Sequence, residues 1–170
     1  MRLFVAIKLS PEVHSALTDA IYDLKTQSFG GNFTKSENLH LTLAFIGETR
    51  DVGKAKDALD AVSASQLEIK LGGRGKFGDL YWAGLEKSPA LSDIAAQVRR
   101  ELVNRGFEID TKPFKPHITL ARQLRCDAPP VFDVYPASMM VEKISLMRSD
   151  RIDGRLRYTE IHSKKLGGTT

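Results

Sequence analysis

The pentapeptide His40-Leu41-Thr42-Leu43-Ala44 returns almost unchanged as His117-Ile118-Thr119-Leu120-Ala121, and it brings its surroundings with it. An apolar stretch that opens at Leu3-Phe4-Val5-Ala6 and closes at Ser10-Pro11 is matched by Leu80-Tyr81-Trp82-Ala83, which closes at Ser88-Pro89. The offsets are 77 between the leucines, 78 between the serines and 77 between the histidines. One chance motif would not carry a scaffold at constant spacing. The chain therefore reads as a duplicated strand-helix-strand unit, its copies related by an approximate twofold axis.

Within each copy the local signals agree. Serine as N-cap with proline at the first helical position starts a helix. Val13, Ala16, Leu17, Ala20, Ile21 and Leu24 then follow at helical spacing in the first copy, and Leu91, Ile94, Val98 and Leu102 in the second, with Gly106 as the stop. Asp51 caps a shorter helix carrying Val52, Ala55, Leu59 and Val62, and Leu67–Leu71 alternates like a strand. Val131–Val134, a long stretch around Met140–Met147 and Leu156–Ser163 are further strands, with Asp153-Gly154 turning the last hairpin. The predicted class is α+β: two lobes of antiparallel sheet around a central cleft, helices outside. At 170 residues this is one bilobal domain, with the repeat over 2–66 and 79–130, strands from 131–163 completing the sheets, and a flexible tail over 164–170.

The lone Cys126 excludes an internal disulfide and suits a reducing compartment, so a cytoplasmic location is expected. The apolar run after Met1-Arg2 stops at Lys8, too short for a signal peptide, and nothing approaches a membrane span. A net charge of +4 leans towards a polyanionic partner. The chain is expected to act as a monomer.

Alternate residues of a strand share a face, so each motif projects an imidazole and a hydroxyl together. With an ordinary pKa near 6.5, one imidazole can be neutral while a second is protonated, the pair that general acid-base catalysis needs. Thr42 and Thr119 can donate hydrogen bonds to phosphate oxygens. Each motif supplies a single histidine without an adjacent acid, which disfavours a metal site, although Glu37, Glu48 and Asp110 are potential partners in space. Arg122 and Phe45 occupy the equivalent position after each motif and are candidates for substrate binding. Strict alternation would turn Arg122 away from His117 and bury Phe45, so a role for Arg122 requires the strand to end or twist by Ala121. Lys112, Lys115, Arg148, Arg151, Arg155 and Arg157 could follow a nucleic-acid backbone. Gly72–Lys76 lacks the ending of a P-loop and reads as a flexible connection. His14 reads as surface, and His162 is assigned no role.

The paired His-x-Thr strands, the Arg2–Ile7 opening, the blocks Leu39–Gly47 and Phe114–Arg122, and Leu146-Met147-Arg148-Ser149 resemble the two-histidine phosphoesterase superfamily, in particular its RNA 2′,3′-cyclic phosphodiesterases, historically called 2′-5′ RNA ligases. The resemblance implies hydrolysis of RNA 2′,3′-cyclic phosphates to 2′-phosphomonoesters without metal or cofactor, and a weak reverse ligation. It also implies His40 as proton donor, His117 as proton acceptor, and Thr42 and Thr119 as phosphate ligands. The residues themselves do not separate acid from base. Alternatives are another cyclic nucleotide substrate, such as ADP-ribose cyclic phosphate or a 2′-5′ oligoadenylate, and a non-catalytic module that binds RNA ends.

Overall fold

The structure, a computed structural model, describes residues 1–167. Two antiparallel sheets face each other. The first contains β1 (Arg2–Lys8), β3 (His40–Glu48), β8 (Lys143–Ile152) and β9 (Arg155–Lys165), in the order β3-β1-β8-β9. The second contains β2 (Gly30–Phe33), β4 (Leu67–Phe77), β5 (Leu80–Leu85), β6 (His117–Arg125) and β7 (Ser138–Val141), in the order β2-β6-β5-β4-β7. The first order is matched by β6-β5-β4-β7 in the second, so the repeat extends to whole sheets, with β2 added on one edge.

Between its charged ends Arg2 and Lys8, β1 is apolar because both of its faces are covered. Leu3, Val5 and Ile7 join the main core, while Phe4 and Ala6 pack with Met147 on the other side. The helices α1 (Pro11–Thr26) and α3 (Pro89–Asn104) begin as expected: the hydroxyls of Ser10 and Ser88 accept from the amides of Val13 and Leu91 at 3.3 and 3.2 Å. These helices tie the two lobes together. α1 follows a strand of the first sheet yet lies on β2, β6 and β7, and α3 follows a strand of the second and packs on β4 there while also reaching β3 of the first. Residues from both units consequently share one hydrophobic core. α2 (Val52–Asp60) packs on α3, β8 and β9. Asp51 precedes it, but its side chain makes no capping bond; the Thr49 hydroxyl accepts from the Asp51 amide instead.

Several expectations are corrected. Gly72–Lys76 is part of β4, where Gly75 lies beneath the Trp82 ring and a Cβ there would collide with the indole. Val131–Val134 forms no strand. The backbone of Val131 is held on both sides by the Gln27 side chain, at 2.8 and 2.6 Å, and Phe132 is buried as a plug. The stretch around Met140–Met147 is two strands, β7 and β8, in different sheets. The tail expected from residue 164 is ordered through 167: Lys164 and Lys165 close β9, Leu166 is buried, and Gly167 bridges Ser65. Residues 168–170 lie outside the described residues. No described helix is long and apolar enough to cross a membrane.

Candidate active site

The two motif strands are constructed alike. In β3, Thr42 lies opposite Ala6 and Ala44 opposite Val5, which leaves Leu43 as an extra residue. In β6, Thr119 lies opposite Trp82 and Ala121 opposite Tyr81, which leaves Leu120 extra. These two bulges occupy equivalent places, and each reverses the alternation just past its motif. Leu43 and Ala44 are both buried, as are Leu120 and Ala121, and the next residues emerge into the cleft. This corrects the parity reading. Phe45 is 49% exposed instead of buried, and Arg122 shares the cleft with His117.

That cleft, about 1090 Å³, is lined by His40, Thr42, His117, Thr119, Phe45 and Arg122 among others. All six candidate residues are thus brought together. Each histidine is oriented by the carbonyl two residues before it. Nδ1 of His40 lies 2.7 Å from the Asn38 oxygen, and Nδ1 of His117 lies 2.7 Å from the Lys115 oxygen. A carbonyl only accepts, so Nδ1 carries hydrogen in both rings and Nε2 is the atom left for chemistry. In the neutral His40 ring, Nε2 accepts from the Thr42 hydroxyl at 2.8 Å.

The surroundings of the two rings differ. His40 packs against Phe4 and Tyr158, with ring centres 4.9 and 5.1 Å away. Burial lowers its pKa below the usual histidine value; the Asn38 hydrogen bond opposes this, and the charge of His117 adds to it. His117 is flanked by Phe77 at 5.2 Å and Trp82 at 6.3 Å. Burial raises the pKa of Tyr158, while Arg122, Arg2 and Arg151 oppose that shift.

Sequence reasoning missed Asn38, Arg2 and Tyr158. Asn38 is buried, and its side-chain amide donates to the Leu156 carbonyl at 3.1 Å, tying the β8–β9 hairpin to the backbone group that orients His40. Arg99 makes a second tie on α3: it bonds the Lys112 carbonyl at 2.9 Å and, more weakly, the Leu43 carbonyl at 3.4 Å. Of the basic residues singled out earlier, Arg151 lines the cleft, whereas Arg148 pairs with Asp150 at 2.7 Å. Lys112, Lys115, Arg155 and Arg157 are exposed. His14 is half-buried beside Ser36, and His162 binds Asp60 at 2.8 Å on the outer surface. Glu48 lines the cleft and bonds the Met1 ammonium, while Asp110 accepts from the Lys112 amide. Among the described residues no three His, Cys, Asp or Glu side chains are grouped to hold a metal ion.

The 2′-5′ RNA ligase superfamily model matches residues 11–153. The chain belongs to that superfamily. It is 30% identical over 135 residues to the RNA 2′,3′-cyclic phosphodiesterase of Geobacillus stearothermophilus, a match covering 74% of this chain and 43% of that protein. A relative of the same description from Escherichia coli is 30% identical over 175 residues, covering 94% and 93% of the two chains. The crystal structure of E. coli LigT complexed with 3′-AMP superposes with a TM-score of 0.83 at 26% identity and covers 97% of each chain.

Proposed function

We propose that the protein hydrolyses RNA 2′,3′-cyclic phosphate ends to 2′-phosphomonoesters by acid-base catalysis between His40 and His117. One observation carries this reading: two imidazoles with Nδ1 fixed by a backbone carbonyl share a single cleft with two threonine hydroxyls. Family membership and the description of its relatives support the substrate class.

In the proposed reaction, Nε2 of His117 takes a proton from water as its oxygen bonds to phosphorus. The bond from phosphorus to O3′ breaks, and His40 protonates that oxygen. Thr42 and Thr119 donate to the non-bridging oxygens, where charge accumulates. Arg122 supplies a guanidinium able to bind two phosphate oxygens. Burial favours the neutral form of His40 in the free protein. The arriving phosphate anion favours the imidazolium, so the proton donor is charged when substrate is present. Phe45, exposed at the rim, offers an aromatic face to a base.

The test is product identification. Cyclic-phosphate-ended oligonucleotides and nucleoside 2′,3′-cyclic phosphates, incubated with the protein and a chelator, are expected to yield 2′-phosphates. A 3′-phosphate product would reverse the leaving group, and turnover abolished by chelation would remove the two-histidine mechanism. Stoichiometric binding of RNA ends with no turnover would favour the binding module.

A further inference from the structure

The cleft holds more positive charge than one cyclic phosphate requires. Arg2, Arg122 and Arg151 all line it, and among the described residues none has an acidic oxygen within salt-bridge distance. The acids that also line the cleft are engaged elsewhere: Asp150 with Arg148, and Glu48 with the Met1 ammonium. Arginine cannot shed its proton, so converging unpaired guanidiniums repel one another until an anion joins them.

The strand register places two of them away from the histidines. Arg2 lies opposite Ser149 on β8, and Ser149 lies opposite Tyr158 on β9. Arg151 is two residues beyond Ser149 and so shares its face. On β1, Arg2 is four residues from Ala6, the partner of Thr42, which at the usual rise is roughly 13 Å along the strand. Arg2 therefore stands further along the cleft than the two threonines, with the length of its side chain to reach back towards them. Arg2 is held there by the Phe45 ring, 4.9 Å beneath its guanidinium. Tyr158 stands between the two regions, with its ring against His40 and its hydroxyl in the field of Arg122, Arg2 and Arg151.

The geometry points to a second phosphate site, in which Arg2 and Arg151 hold the phosphodiester immediately 5′ of the cyclic-phosphate nucleotide. The cleft thereby selects the end of an RNA strand over a free cyclic mononucleotide. This deepens the function proposed above and rests on it for the direction of the strand.

The test compares a nucleoside 2′,3′-cyclic phosphate with the dinucleotide ending in the same group, and with that dinucleotide carrying an uncharged methylphosphonate linkage. Two charge-assisted contacts give the natural dinucleotide an expected advantage in kcat/KM of about 10- to 100-fold. The methylphosphonate is expected to lose it, and so is the R2A/R151A variant. The R2K/R151K variant, which keeps the charge, is expected to recover part. The salt slope should be steeper for the dinucleotide by about 0.7 per phosphate engaged. An advantage that survives the methylphosphonate or R2A/R151A would overturn the site and assign the preference to the extra base. Binding of the 2′-phosphorylated dinucleotide and mononucleotide products, measured by calorimetry, provides the same comparison without turnover. A protein that hydrolyses none of these substrates yet binds the dinucleotide more tightly through Arg2 and Arg151 would lose the catalytic reading and keep the phosphate site. Equal binding of the two products would overturn the site.

Discussion

The first half-site is enclosed and the second is open, although both stand on the same scaffold. His40 lies between Phe4 and Tyr158, touches Thr42 through Nε2, and takes its orientation from a buried asparagine. His117 takes its orientation from Lys115, an exposed residue, and has Phe77 and Trp82 beside it. The matched bulges then deliver different side chains to equivalent places, Phe45 on one side and Arg122 on the other. Duplication thus supplied two copies of one device, which differ in the rings packed around each histidine and in the side chain delivered after each motif. A charge on His117 and burial both penalise the imidazolium of His40, so its charged form is the costlier one until an anion enters the cleft.

Replacing either histidine tests whether the halves are jointly required. His40→Ala and His117→Ala are each expected to lower kcat by about 10²- to 10⁴-fold, measured by steady-state hydrolysis of a cyclic-phosphate substrate. Near-wild-type turnover in one of them would mean that a single histidine suffices.

The anchoring residues sharpen the contrast. Asn38→Ala removes the donor to Leu156 and is expected to destabilise the fold by about 1–3 kcal/mol and to slow turnover, because the carbonyl that orients His40 loses its support. Lys115→Ala keeps the carbonyl beneath His117 and should cost within about 0.5 kcal/mol. Urea denaturation of both variants decides; equal losses would erase the distinction. The helix caps should show the opposite pattern, equality. Ser10→Ala and Ser88→Ala are each expected to cost about 1 kcal/mol in the same assay.

The smallest effect is a titration. NMR of the imidazole C–H signals should give His40 a pKa below 6.5 in the free protein, since desolvation penalises its charged form. Tyr158→Ala opens that side of the ring and should move the value upward, while a bound phosphate anion should raise it in the wild type. With His40 as proton donor, activity falls as pH rises through its pKa, so the alkaline limb of kcat should lie above that of kcat/KM. A free-protein value at or above 6.5 would show that desolvation does not govern His40.

The elements that sequence revealed are those whose signals are local. Alternation marked β3 and β6, Ser-Pro marked the starts of α1 and α3, and Asp153-Gly154 marked the final hairpin, where both residues have positive φ. The site's four central residues followed from the repeat. The bulges did not, because Leu43-Ala44 and Leu120-Ala121 look like ordinary strand residues and the extra residue is defined only by the partner strand. Asn38 was silent for a similar reason: its importance lies in a bond to Leu156, 118 residues away. Gly72–Lys76 was misread because glycine there serves the Trp82 ring above Gly75 and not a loop. Val131–Val134 has a strand's composition, but the Gln27 side chain takes the backbone hydrogen bonds of Val131 in place of a neighbouring strand.

The tie that α1 and α3 make between the sheets has a mechanical consequence. Prising the jaws apart would break the packing that α1 and α3 make with the opposite sheet, exposing greasy surface there. Such a braided clasp should resist hinge bending, so the jaws are expected to keep their spacing.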